Sequence, residues 1–147
     1  MKTKLFNGKF ELALRILLIL GRKGRSASLD QLLAFDFITT YASSFNLSKD
    51  NLHGDNAFNY SEIASRRTVM DKGIGLLRMY NLLDINYSAQ NGYEYLLTDL
   101  GRSMERQLDD QYAIEYRRVL SNVIAKYSQC SSKKLMKLID SNLMKEL

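Results

Sequence analysis

The chain has 147 residues, 46% hydrophobic and 25% charged, the proportions of one soluble globular domain able to bury a core. A single cysteine, Cys130, excludes an internal disulfide or a cysteine-rich zinc site. No apolar run approaches the roughly 20 residues of a membrane span, so a cytoplasmic protein is expected. The net charge of +5 is uneven: residues 1–25 carry +6, residues 126–147 carry +3, and residues 26–125 carry −4. An acidic centre is a poor match for nucleic-acid phosphates.

Phe10 to Leu20 predicts a first helix, apolar nearly all round and interrupted by Arg15, after a basic N-terminal arm. The basic stretch Gly21–Ser26 that follows is no signal-peptide cleavage site. Ser28 caps a second helix, with Asp30 in its first turn, running through Leu29, Leu32, Leu33, Phe37 and Ile38 to about Ser43. Residues 45–59 read as a long loop. Ser61 or Asn59 starts a third helix whose apolar positions Ile63, Met70, Ile74 and Leu77 recur at helical spacing. Gly73 and Gly75 lie inside it, each costing about 1 kcal/mol relative to alanine. Such glycines mark a close backbone approach or a kink.

Residues 76–101 are the most informative stretch. Leu82–Ile85 and Tyr93–Leu97 read as strands around a polar loop, Asn86–Gly92, and Thr98 caps the next helix with Asp99 in its first turn. A hairpin set between helices predicts a winged-helix domain, a class that binds DNA or joins proteins and rarely catalyses. From Asp99 onward Leu100, Met104, Leu108, Tyr112, Tyr116, Leu120 and Ile124 repeat every fourth residue. One helix of about 28 residues, roughly 40 Å long, is expected, with part of its stripe left for a partner or for the first helix. A hinge at Ser128–Ser132 leads to a short amphipathic helix (Leu135, Leu138, Ile139, Leu143) that docks or stays mobile. The predicted fold is mainly α with a small β-hairpin. A winged-helix domain with its long last helix covers residues 1–127, and a hinge with a short helical tail covers 128–147.

Chemistry is sparse. His53, the only histidine, is either a general base oriented by Asp55 or, more commonly for such a loop residue, a local packing or capping group. No second histidine or nucleophile motif accompanies it, so no enzymatic activity, metal or cofactor is expected. Arg66, Arg67, Lys72 and Arg78 on the third helix, with Arg22, Lys23 and Arg25 in the basic loop, are candidate DNA contacts. Against that, groove-reading helices are joined by a turn of about 3–4 residues. The wing also carries Asp84 and Glu94 but no lysine or arginine. The arginines can equally pair with Glu62, Asp71 or a partner's carboxylates. Tyrosines at strand and helix spacing line a core or an interface more often than a stacking platform.

Several segments resemble the middle-component family of bacterial three-component ABC systems: Leu29–Asp36 (LDQLLAFD), Asn51–Gly54 (NLHG), Glu62–Arg67 (EIASRR), Gly75–Leu77 and Gly92–Gly101 (GYEYLLTDLG). Together they span about residues 10–120. The resemblance implies a winged-helix adaptor in a Lamassu-type anti-phage or anti-plasmid defence complex. Its partners would be an SMC/Rad50-like ATPase and an effector, often a nuclease, with DNA reached through the complex. The expected partner surfaces are the hairpin (Ile85, Tyr87, Tyr93, Tyr95) and the long helix (Tyr112, Tyr116, Leu120, Ile124). The alternative is a transcription regulator reading DNA through Arg66, Arg67 and Arg78.

Overall fold

Side-chain caps set the element boundaries in the computed structural model, which describes residues 8–52 and 60–146. Helix α1 spans Lys9–Lys23, α2 spans Leu29–Thr40, and a 3-10 turn covers Ala42–Phe45. Helix α3 (Tyr60–Met79) leads into strands β1 (Leu83–Ser88) and β2 (Gly92–Leu97), then α4 (Asp99–Gln107), α5 (Gln111–Tyr127) and α6 (Ser132–Glu146). The chain is therefore mainly helical with a two-stranded antiparallel sheet. Ser28 forms a full capping box at α2: its hydroxyl accepts from Gln31 N at 3.2 Å, and its own N–H donates to the Gln31 side chain at 3.1 Å. Helix α2 is buried on every side from Leu32 to Thr40, and α1 from Leu12 to Leu20 except at Leu14.

Helix α1 packs closely on α3 at Gly73, where a Cβ would lie 3.2 Å from Ala13 N and 3.3 Å from Lys9 O. Gly73 thus meets the expectation of a close approach. Gly75 does not, since open space surrounds it. The hairpin begins as expected, but its strands run further, pairing Asn86 with Glu94 and Ser88 with Gly92. The connecting turn shrinks to residues 89–91, with Gly92 supplying a φ of 70°. Ala27, between α1 and α2, exchanges two backbone hydrogen bonds with Tyr95 at 2.9 and 2.8 Å, stitching that segment to β2. Thr98 caps α4 as predicted, accepting from Gly101 N at 2.9 Å.

The single long helix expected after the hairpin is two helices. Leu108 leaves helical geometry (φ −77°, ψ 101°), and Asp110 caps α5 by accepting from Ala113 N at 3.2 Å. Arg117 holds the corner, pairing with Glu105 at 2.7 Å and donating to the carbonyls of Glu105 and Leu108. The Glu105 carbonyl also accepts from the C-cap N–H of Leu108 at 3.1 Å, so Arg117 reinforces the end of α4 there and supplies a donor to Leu108 O just beyond it. The break turns Tyr116, Val119, Leu120 and Val123 into the core against α1 and α2. Helix α6 docks on α2 through buried Leu135 and Ile139, and the Asn142 side chain donates to Ser44 O at 3.4 Å.

One ionic cluster lies at the centre. Asp36 of α2 is fully buried and accepts from Arg15 Nε at 2.8 Å and Nη2 at 3.0 Å, from Arg66 Nη1 at 3.2 Å and from Tyr116 Oη at 2.6 Å. Arg66 also donates to Thr40 Oγ1 at 2.8 Å and to Glu62 at 2.7 Å, and its guanidinium stacks over the Phe37 ring at 4.5 Å. Tyr41 donates to Glu62 at 2.7 Å. Two arginines thus meet two carboxylates, leaving no net charge in the interior. Burial opposes ionisation of Asp36, but the charges of Arg15 and Arg66, with hydrogen bonds from Arg15 and Tyr116, hold its carboxyl below the ordinary value. Burial and the Asp36 charge push the Tyr116 hydroxyl well up, and burial pushes Tyr112 up to about 12.

Asp36→Asn leaves two buried guanidiniums short of a carboxylate and is expected to cost about 3–5 kcal/mol in urea unfolding at neutral pH. The folded state keeps Asp36 ionised to lower pH than the unfolded chain does. Its contribution is therefore complete above the ordinary carboxylate value of 3.8 and is lost as pH falls through the lower folded value. The variant should accordingly lose less stability on acidification below about pH 4, and equal pH slopes for the two proteins would contradict this. A paired glycine test reads the packing. Gly75→Ala should stabilise by about 1 kcal/mol. Gly101→Ala, whose Cβ would collide with the Leu82 carbonyl oxygen, should destabilise by about 1–3 kcal/mol despite the better helix propensity.

Candidate protein-docking surface

The apolar residues that the core leaves over gather in one place. Phe10 and Leu14 sit one turn apart on α1, Leu100 and Met104 one turn apart on α4, and Leu76 and Tyr80 lie at the end of α3. They rim a groove of about 470 Å³ whose buried floor is Ala13, Leu17, Leu77 and Leu82. Phe10 is 58% exposed, Leu100 53% and Tyr80 62%. A second hollow of about 370 Å³ begins at Leu14 and continues past Leu18, Leu108, Tyr112 and Ala113, with the carboxylates of Glu11 and Asp110 at its wall. A continuous apolar patch of this kind marks a binding surface more often than an isolated exposed leucine does. None of the groove's rim residues stood among the expected partner contacts, whereas Tyr112, which lines the second hollow, did. The available signal was the all-round apolar character of the first helix, more than one core-facing stripe requires.

The hairpin forms a graded second surface. On one face, Leu83 and Leu97 are buried, Ile85 and Tyr95 half-buried, and Tyr87 and Tyr93 exposed at the tip. Tyr87 and Tyr93 are directly opposite in the register and meet edge to face with ring centres 5.2 Å apart. All four predicted hairpin contacts therefore share one face, and the two tyrosines at its end are free to meet another molecule. The predicted contacts on the last helix divide differently. Tyr116 and Leu120 are interior and cannot face a partner; Tyr112 and Ile124 are half-buried against the core. The four-residue repeat was right as a helical stripe, but the break at residues 108–110 aims it inward.

The candidate DNA contacts also separate. Arg66 is interior, held by Asp36, Thr40 and Glu62, so it offers nothing to a groove. Arg67 forms an ion pair with Asp30. Arg78 is exposed near Tyr95, and the exposed face of α3 otherwise carries Ser61, Ala64, Ser65, Thr68, Asp71, Lys72 and Gly75, with one further cation. In the basic loop, Arg22 and Arg25 are exposed, Arg25 donating to Ser128 O at 3.0 Å, while the Lys23 ammonium donates to Ser26 O at 3.3 Å. Burial, then the neighbouring Arg25 charge, pulls Lys23 below its usual value.

Among the described residues no group of three or more His, Cys, Asp or Glu side chains is placed to hold a metal, and no helix is long and apolar enough to cross a membrane. His53 and Asp55, like the N-terminal Lys2 and Lys4, lie outside the described residues. Comparison with curated proteins and with solved structures finds no match. A family model does match residues 5–147, and the chain belongs to that family, Middle Component 2 of the ABC-three component (ABC-3C) systems.

Proposed function

We propose that this middle component is a non-catalytic adaptor of winged-helix type, docking on an SMC/Rad50-like ATPase and linking it to an effector, often a nuclease. The system would be a Lamassu-type defence complex acting in the cytoplasm against phage or plasmid DNA. The observation that carries the adaptor reading is the apolar groove between α1, α3 and α4, which the described residues leave open. A component named for a three-part system must contact at least one other part, and this groove gathers exposed apolar side chains from α1, α4 and the end of α3. The two rows of anchors spaced one turn apart suit an amphipathic helix from the ATPase head or neck. The order helix, bridging residue Ala27, two helices and hairpin supports the winged-helix assignment, and the exposed Tyr87–Tyr93 pair supplies a second contact at the wing tip.

The regulator alternative is less well supported, because its leading arginine, Arg66, is spent inside the fold and Arg67 is paired with Asp30. The test is co-purification with the ATPase of the same system after co-expression. Leu14→Glu with Met104→Glu should cut recovery of the ATPase at least about 10-fold, since charges would enter an apolar contact. Both positions are exposed in the free chain, so the urea midpoint should barely move. Full recovery with the double variant would overturn the groove as the docking site, and failure of the wild type to co-purify would overturn the adaptor reading.

A further inference from the structure

The excess basic charge of the chain is carried by residues that do not line the apolar groove. In sequence the excess of lysine and arginine sits at the two ends, more than 100 residues apart. The fold joins them: Arg25, in the turn between α1 and α2, donates across 103 positions to the carbonyl of Ser128, in the turn between α5 and α6. Arg22 and Arg25 are exposed there, and so are Lys133, Lys134 and Lys137 on the first two turns of α6. Between them lie exposed Gln129 and Ser131 and half-buried Ser128 and Ser132, uncharged groups able to donate hydrogen bonds. The carboxylates nearby are Glu94, half-buried beside Ser26 and Lys23, and Asp140, exposed one turn beyond Lys137.

We propose that the α1–α2 turn and the start of α6 form one basic face that binds the sugar–phosphate backbone of duplex DNA without regard to base sequence. Arginine and lysine interleaved with hydroxyl and amide donors are the groups that contact phosphate oxygens, and contacts of that kind carry no sequence information. A membrane surface is a poorer occupant, because the apolar side of α6, with Leu135 and Ile139, is turned into α2 and leaves no wedge to enter lipid. The face is distinct from the outward side of α3, the surface a groove-reading protein would use. None of the basic-face residues lines the apolar groove. The inference goes beyond the adaptor reading and does not require it.

The test is fluorescence anisotropy of a labelled duplex of about 20 base pairs and arbitrary sequence, titrated with the full chain between about 50 and 200 mM salt. The wild type should bind at the low-salt end and weaken steeply as salt rises. Arg25→Glu/Lys133→Glu/Lys134→Glu should lose at least about 10-fold in affinity, and its slope of log affinity on log salt should fall by about 2–3, near 0.9 for each phosphate contact removed. Lys49→Glu/Lys72→Glu/Arg78→Glu makes the same change in net charge at exposed positions elsewhere and should retain wild-type affinity within about 3-fold. The double variant Lys133→Glu/Lys134→Glu leaves the Arg25–Ser128 contact in place, guards against a loosened turn, and should still lose about 5-fold. No wild-type binding at about 50 mM salt, equal losses in the two triple variants, or a loss confined to the second triple would each overturn the proposal. So would displacement of the duplex by polyglutamate at equal charge concentration, which would assign the face to an acidic protein.

Discussion

The arrangement of the helices depends on Asp36, a carboxylate withdrawn from water and shared by side chains from three other helices. Arg15 reaches it from α1, Arg66 from α3 and Tyr116 from α5. Moving such ions out of water costs several kcal/mol each, and their mutual attraction returns that only when geometry and hydrogen bonding are nearly complete. The cluster is therefore better understood as a constraint on arrangement than as a source of large net stability. An apolar core of leucines and phenylalanines tolerates small slides of one helix along another. A carboxylate with three donors arriving from fixed directions does not.

That constraint explains where the functional surfaces fall. With α1 drawn inward at Arg15 and pressed on α3 at Gly73, the edge of α1 beside that contact faces outward with Phe10 and Leu14 uncovered. Helix α4, swung away from α5 at residues 108–110, brings Leu100 and Met104 alongside them. The break in the helix thus does two things: it buries the later half of the apolar stripe and leaves the earlier half to rim the groove. Drawing Arg66 into the core also removes a cation from the face of α3 that would meet a nucleic acid. Positive charge gathers instead where the turns before α2 and before α6 meet.

Much of the local structure was legible in the sequence because it rests on contacts between residues close in the chain. Ser28 and Thr98 cap their helices as their spacing predicts, and Gly92 closes the hairpin turn. Arg15 and the LLAFD stretch were both visible, one as an interruption and the other as a mark of resemblance, but not as partners. Nothing local says that a charge at position 15 and another at position 36 are to be buried together. The break between α4 and α5 was hidden for a related reason. Asp110 had the identity of a cap, yet the four-residue repeat ran straight through it, and the clamp by Arg117 that stabilises the corner exists only once the two helices have turned back on each other.

The sequence by itself determined the helical class, the hairpin with its cap, the acidic centre between basic ends and the family, since each is carried by residue type, short-range spacing or linear order. Only the tertiary structure decided which arginines are structural, which half of the last apolar stripe is covered, and that the two basic ends share a face. Those outcomes depend on pairings between residues 21 to 103 positions apart, Arg15 with Asp36 at one extreme and Arg25 with Ser128 at the other. Desolvation and hydrogen-bond satisfaction select such pairings only when the whole chain is packed, so no local pattern records them.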